Sequence, residues 1–297
     1  MLGVVNLDKP VGPTSHDMVG LLRRLSGTRR IGHAGTLDPL ASGVLPILVG
    51  AATRLSEELT GGRKRYDAVI RLGFRSATDD GEGPLEPGDG PLPAADAVAA
   101  ELARMVGTFE QRPPAFSARK QAGRVAHRAA RAGDPLDLPP RTVTVDAIAL
   151  LGVETGDGWL DVRVDLRCGP GTYVRSIARD LGERLGCGGY LRALRRTEAA
   201  GLRVADAITP ERLEALAKAG RLAEAMLPIA DLLPLPRVEL APAEAERFVH
   251  GSVVRLELDR ATDGRTAVFG ADELLGVGTL RGGLLQPDKV LAPQGAG

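Results

Sequence analysis

Residues 31–46 read "IGHAGTLDPLASGVLP", and Asp38 is the only acidic side chain in the segment. A carboxylate in such apolar company has two uses. It can close an Asx-type turn, for which Asp-Pro is a common start. It can instead do chemistry, as a nucleophile or a base, and must then be paired, because burying it alone is costly. Pro39 keeps Asp38 on extended, non-helical backbone, and Gly32, Gly35 and Gly43 permit tight turns and close approach of a ligand. A partner is on offer in "GTYVRS", where Arg175 falls in the first turn of an expected helix and opposes the helix dipole by about 0.3–1 kcal/mol. A cation there invites a specific anion, and Asp38 is the candidate; the alternative is a solvated surface charge. Tyrosine occurs only as Tyr66, Tyr173 and Tyr190. Tyr66 heads a strand and Tyr173 precedes the helix, positions that suit either a site or ordinary packing.

The elements that must hold these residues follow from periodicity. "VVNLDKPVGPTSHDMVGLLRRLSG" predicts a strand, a Pro/Gly turn and a helix that Thr14 and Asp17 cap and Gly27 stops. "RYDAVIRLGF" alternates, with Tyr66, Ala68, Ile70, Leu72 and Phe74 on one face of a half-buried strand. "AADAVAAELARMVG" predicts a helix ending at Gly107. "TVTVDAIALLGV" and "GWLDVRVDLRC" predict strands, and "TYVRSIARDLGERLG" a helix whose apolar stripe is Val174, Ile177, Ala178, Leu181 and Leu185. Thr209 and Pro210 start another helix, and Asp263–Gly264 marks a hairpin. Strands interrupted by single helices, without strict alternation, predict an α+β fold on a largely antiparallel sheet. A change of texture near Leu235 divides the chain into 1–234 and a small β-rich unit, 235–297.

Composition narrows the class. The 297 residues are 43% hydrophobic and 26% charged, ordinary for a soluble protein. No apolar run approaches the roughly 20 residues that span a bilayer, and no basic-then-apolar leader opens the chain. Cys168 and Cys187 stand apart, which argues against a disulfide framework or a zinc site and for the reducing cytoplasm. Formal net charge is zero, yet cations cluster at 112–141 and 167–203. Local basic zones on a neutral chain suit recognition of a defined phosphate backbone.

Four stretches then carry a resemblance: "LDKPVGPTSHDMV", "GHAGTLDPLASGVLP", "KRYDAVIRLG" and "CGPGTYVRSIARDLGERLGCGGYLRALRRT". Their order and spacing over most of residues 4–200 resemble the TruB family of transfer-RNA pseudouridine synthases. The resemblance implies that Asp38 initiates conversion of a uridine, at position 55 of the transfer-RNA T loop, to pseudouridine. It implies that Arg175 pairs with Asp38 and keeps it ionised, and that Tyr66 stacks on the flipped uracil and is placed to take the C5 proton. Tyr173 and Leu194 match residues lining the base pocket, His33 a residue that packs into the T loop, and Lys9 a structural or substrate-side lysine. Residues 112–141 correspond to a basic, thumb-like insertion clamping the T arm, and residues 235–297 resemble a small RNA-binding domain of the PUA type. The isomerisation needs no metal or organic cofactor, the expected partner is the T arm of transfer RNA, and a monomer without an obligatory protein partner or membrane association is expected. The alternatives are a non-catalytic RNA-binding or RNA-folding protein, and a pseudouridine synthase with a different RNA target.

Overall fold

The computed structural model describes residues 2–117, 119–121, 123–257 and 262–291. β1 (Gly3–Lys9) leads to α1 (Ser15–Ser26), capped reciprocally by Thr14 and Asp17 and closed by Gly27 in the left-handed conformation. β2 (Ile31–His33) and β3 (Ala41–Val49) flank the Asp38 loop, and α2 (Ser56–Thr60) precedes β4 (Lys64–Leu72). Gly73, at φ 99°, ends β4, so Phe74 opens a separate hairpin of β5 (Phe74–Ser76) and β6 (Leu85–Pro87) instead of extending the buried face. α3 (Ala95–Arg104) stops short of Gly107, which starts β7 (Gly107–Gln111). The basic segment holds a short hairpin, β8 (Lys120–Gln121) with β9 (Arg124–Val125), and α4 (Ala126–Arg131); Ala118 and Ala122 lie outside the described residues. β10 (Arg141–Gly156), β11 (Trp159–Cys168), α5 (Val174–Arg184), β12 (Gly189–Ala199), β13 (Leu202–Arg203) and α6 (Pro210–Lys218), capped by Thr209, follow.

Nine strands form one sheet in the order β1-β3-β12-β4-β11-β10-β7, with β2 beside β3 and β13 beside β12. Its pairings are antiparallel except for β3 with β12, so the expected α+β class and sheet type hold. Alternation puts Tyr66, Ala68, Ile70 and Leu72 of β4 with Leu160, Val162, Val164 and Leu166 of β11 on one buried face, which α3 and α5 cover. The other face carries cross-strand ion pairs. Arg65 meets Asp165 at 2.7 Å, Arg71 and Arg192 share Asp161 at 2.7 Å each, and Arg195 meets Asp8 at 2.7 Å.

A second sheet, in the order β14-β16-β17-β18-β15, is built from β14 (Arg237–Leu240), β15 (Val254–Arg255), β16 (Gly264–Gly270), β17 (Glu273–Arg281) and β18 (Leu284–Val290), with α7 (Pro242–Val249) packed on it. The strands flanking Asp263–Gly264 do not pair with each other: β15 joins β18 and β16 joins β14. The hairpin turns lie instead at Ala271–Asp272 (φ 50° and 63°) and Gly282–Gly283 (φ 52° and 75°), each with the two positive φ values of a two-residue turn. The Asp263 carboxylate accepts a bond from the Gly282 N–H at 3.0 Å, so the residue supports a neighbouring turn. Val277 and Leu291 of this unit bury themselves against Leu55, Leu59 and Leu202 of the larger one. Cys168 and Cys187 are buried free thiols, and no helix among the described residues is long and apolar enough to cross a membrane.

Candidate active site

The Asp38 loop is pinned from the side by α1. The Ser15 hydroxyl, 2% exposed, accepts from the Leu37 N–H at 2.8 Å and donates to the Leu37 carbonyl at 2.9 Å. The Gly12 N–H reaches the Pro39 carbonyl at 2.8 Å. The turn at Asp38 is closed by its backbone, whose carbonyl accepts from the Ala41 N–H at 3.0 Å. That leaves the carboxylate out of any Asx-type role, and it lies 3.0 Å from Arg175.

Arg175 is 7% exposed and Asp38 38%, so the cation is interior and the carboxylate reachable. The guanidinium also pairs with Asp80 at 3.3 Å and donates to the Thr78 carbonyl at 3.1 Å and the Phe116 carbonyl at 2.9 Å. Burial pushes the Asp38 carboxyl above its ordinary range; Arg175 opposes the rise and the Asp80 charge adds to it. The simple expectation that Arg175 keeps Asp38 ionised therefore needs two additions: desolvation works against the arginine, and Asp80 shares it.

A cavity of about 190 Å³ opens beside this pair, lined by Asp38, Arg175, Tyr66, Tyr173 and Leu194 together with Thr36, Leu37, Thr172 and Val174. Tyr66 is 7% exposed on β4, and burial pushes its phenol above the ordinary value against the pull of Arg196. Leu194 comes from β12, opposite Ala41 on one side and Ala68 on the other. Tyr173 precedes α5, where the buried Gln111 amide holds its backbone in both directions, accepting from its N–H at 2.9 Å and donating to its carbonyl at 3.2 Å.

Lys9 and His33 do not line the cavity. Lys9 is fully buried; its ammonium donates to the Pro10 and Pro13 carbonyls at 2.8 and 2.7 Å, and burial lowers its pKa to about 8. His33 sits on β2 with Nδ1 buried and without a hydrogen-bond partner among the described residues, and burial followed by the Arg196 charge lowers its pKa. The second basic zone is largely paired with carboxylates, although Arg184, Arg192 and Arg195 stay more than two-fifths exposed. Arg179 pairs with Asp79 at 2.9 Å and Asp180 at 2.7 Å, Arg184 pairs with Glu101 at 3.1 Å, and Arg175, Arg192 and Arg195 are spent as described. Of the charge expected across 167–203 to face phosphates, that of Arg175 and Arg179 is committed to the interior.

Asp80, Gln111 and Arg196 escaped the sequence reading. Asp80 sits in a turn-rich acidic stretch with nothing to separate it from solvated neighbours. Arg196 is 2% exposed in β12, whose register shifts at Leu191/Ala193 and at Arg196/Glu198 disrupt the alternation that would have flagged an inward side chain.

Residues 23–174 match the TruB family pseudouridylate synthase N-terminal domain, residues 175–245 the tRNA pseudouridylate synthase B C-terminal domain, and residues 236–291 the C-terminal domain of pseudouridine synthase II TruB. The chain is 44% identical to tRNA pseudouridine synthase B of Acaryochloris marina over 297 residues, covering 99% of this chain and all of that one. Its identity to the protein of the same name from Ralstonia nicotianae is 39% over 295 residues, covering 97% and 94%. Among solved structures it resembles a chain of a Cbf5-Nop10-Gar1 complex, with a TM-score of 0.75 and 26% identity over 98% of this chain and 85% of that one. A chain of an H/ACA RNP bound to a substrate RNA containing 2'-deoxyuridine gives a TM-score of 0.73 and 26% identity over 99% and 86%. Matched along nearly its whole length in sequence and in fold, the chain belongs to the TruB family of pseudouridine synthases.

Proposed function

We propose that the protein isomerises the uridine at position 55 of the transfer-RNA T loop to pseudouridine, with Asp38 as the initiating carboxylate. The observation that carries this reading is the half-exposed Asp38, 3.0 Å from a buried arginine, on the wall of a small cavity that also holds Tyr66, Tyr173 and Leu194. Such a cavity suits one planar base taken out of its stack. Asp38 initiates release of the base by breaking the bond from N1 to the sugar. The base turns, C5 bonds to the sugar carbon, and the C5 proton leaves as N1 gains one. Tyr66 stacks on the base as a neutral phenol, since burial disfavours its phenolate. A water-poor site strengthens every charge interaction in it, which supports the apolar loop around Asp38. Arg119 and Arg128 form no ion pair among the described residues, in contrast to Arg112 and Arg124, which supports a thumb that grips phosphates. We also assign a domain division near residue 235, a cytoplasmic location and action as a monomer without an obligatory protein partner.

The test is tritium release from a T-arm RNA labelled at uridine C5, with wild type and Asp38→Asn in parallel. Release by wild type alone, with RNA binding retained in the variant, is the expected result. Silence of the wild type on a folded T arm sinks the position-55 reading, and release by both proteins sinks Asp38.

A further inference from the structure

Arg196 carries a charge into the middle of the large sheet, and its hydrogen-bond acceptors among the described residues are backbone carbonyls, with no carboxylate. Its Nε donates to the Val44 carbonyl at 2.7 Å, and its Nη atoms donate to the carbonyls of Gly35 at 2.9 Å and Thr36 at 3.4 Å. These acceptors bracket Asp38 from both sides of its loop. Tyr66 is its neighbour on β4, and the Arg196 charge acts on the phenol, favouring its ionised form against burial. The backbone repeats the arrangement, because Arg196 stands in register with Gly43 on β3 and with Tyr66 on β4. A Cβ on Gly43 would lie 2.2 Å from the Arg196 carbonyl oxygen, and one on Gly35, at φ 93°, would lie 3.4 Å from Nη1. Gly43 thus lets the β3 and β12 backbones close up at this position, and Gly35 leaves space for the guanidinium itself. An arginine this deep is expensive, because its charge is desolvated without an ion partner, and an aliphatic side chain would fill the same core at less cost.

We propose that Arg196 is a positioning residue for the isomerisation, its planar guanidinium fixing the Asp38 loop and the Tyr66 ring at one separation across the base cavity. The inference rests on the isomerase reading. It names a side chain that never touches the base and acts through the two that do. Lysine keeps the charge but replaces the rigid fork with a point donor, so it cannot hold the three carbonyls in one plane beside the Tyr66 ring.

The experiment measures single-turnover tritium release at saturating RNA for wild type, Arg196→Lys, Arg196→Met, Tyr66→Phe and the Tyr66→Phe/Arg196→Lys double variant, with melting temperature and RNA affinity for each. Arg196→Lys should fold and bind RNA within about threefold of wild type while its turnover falls about 10²-fold, the cost of a loop displaced by roughly an ångström. The double variant should lose less than the product of the single losses, because part of what Arg196 does passes through the Tyr66 hydroxyl. Arg196→Met should turn over more slowly than Arg196→Lys. Wild-type turnover in Arg196→Lys overturns the inference. So does a rate loss that only follows the loss of folded protein or RNA binding, and so does a double variant with fully multiplicative losses. A silent wild type overturns the isomerase reading itself and takes this inference with it, and the wild-type arm alone tells the two failures apart.

Discussion

Two lysines outside the cavity share a predicament. Lys9 ends β1 and Lys64 begins β4; both are buried, both donate only to carbonyls among the described residues, and burial lowers both pKa values to about 8. A lysine in the unfolded chain titrates near 10.4. Between pH 8 and that value the folded protein therefore binds fewer protons than the unfolded chain, so stability rises with pH through this window. The penalty of the buried ammonium is complete below about pH 8 and relieved above it. Replacing Lys64 with Met should flatten the rise in urea-unfolding free energy between pH 8 and 10 by about 2 kcal/mol. Parallel lines for variant and wild type would show that Lys64 keeps its ordinary pKa. The buried cation of the site itself behaves differently: Arg175 bridges two carboxylates, and removing it would strand Asp80, which is 4% exposed, as a buried, unpaired charge.

At the scale of elements, α1 does more than cover the sheet. Its first residue, Ser15, fixes the backbone next to Asp38 through two hydrogen bonds. Ser15→Ala should cost about 1–3 kcal/mol, because it orphans the buried N–H and carbonyl of Leu37, and it should slow turnover more than it weakens RNA binding. Thermal melting beside single-turnover rates checks both; a full rate in a destabilised variant would mean that the loop holds itself. The helix was legible in the sequence because its signals are local, a capping box and a left-handed glycine. The strand faces of β4 and β11 were legible because alternation needs no knowledge of neighbours. Asp38 with Arg175 could be argued from residue types, although they stand 137 residues apart in sequence and only the sheet brings them together. Asp80 and Arg196 could not, since burial of the first depends on a distant arginine and the facing of the second on two bulges. The hairpin at Asp263–Gly264 failed for a related reason: the turn dipeptide is there, but the strands beside it pair elsewhere.

For the whole molecule, the C-terminal unit is joined by more than a linker. Val277 and Leu291 enter the apolar cluster of Leu55, Leu59 and Leu202, while Lys289 pairs with Glu57 at 2.7 Å and the Arg265 guanidinium pairs with Glu58. Ending the chain at residue 235 should therefore expose apolar surface on the larger unit. The expected result is a melting temperature lower by several degrees, roughly 2–4 °C for each kcal/mol lost in a domain of this size, along with any loss of RNA affinity. A truncated protein that melts as the full chain does would reduce the contact to a tether.

The sheet order has a consequence for the protein's birth. β12 lies between β3 and β4, yet it follows them by more than a hundred residues. During synthesis the ribosome delivers the Asp38 loop and Tyr66 early, and for most of translation nothing joins them. Contacts so distant in sequence close late and slowly. Until Leu194, Arg195 and Arg196 have emerged and threaded between their neighbours, the nascent chain has its reactive groups without a pocket, and a passing RNA meets no enzyme.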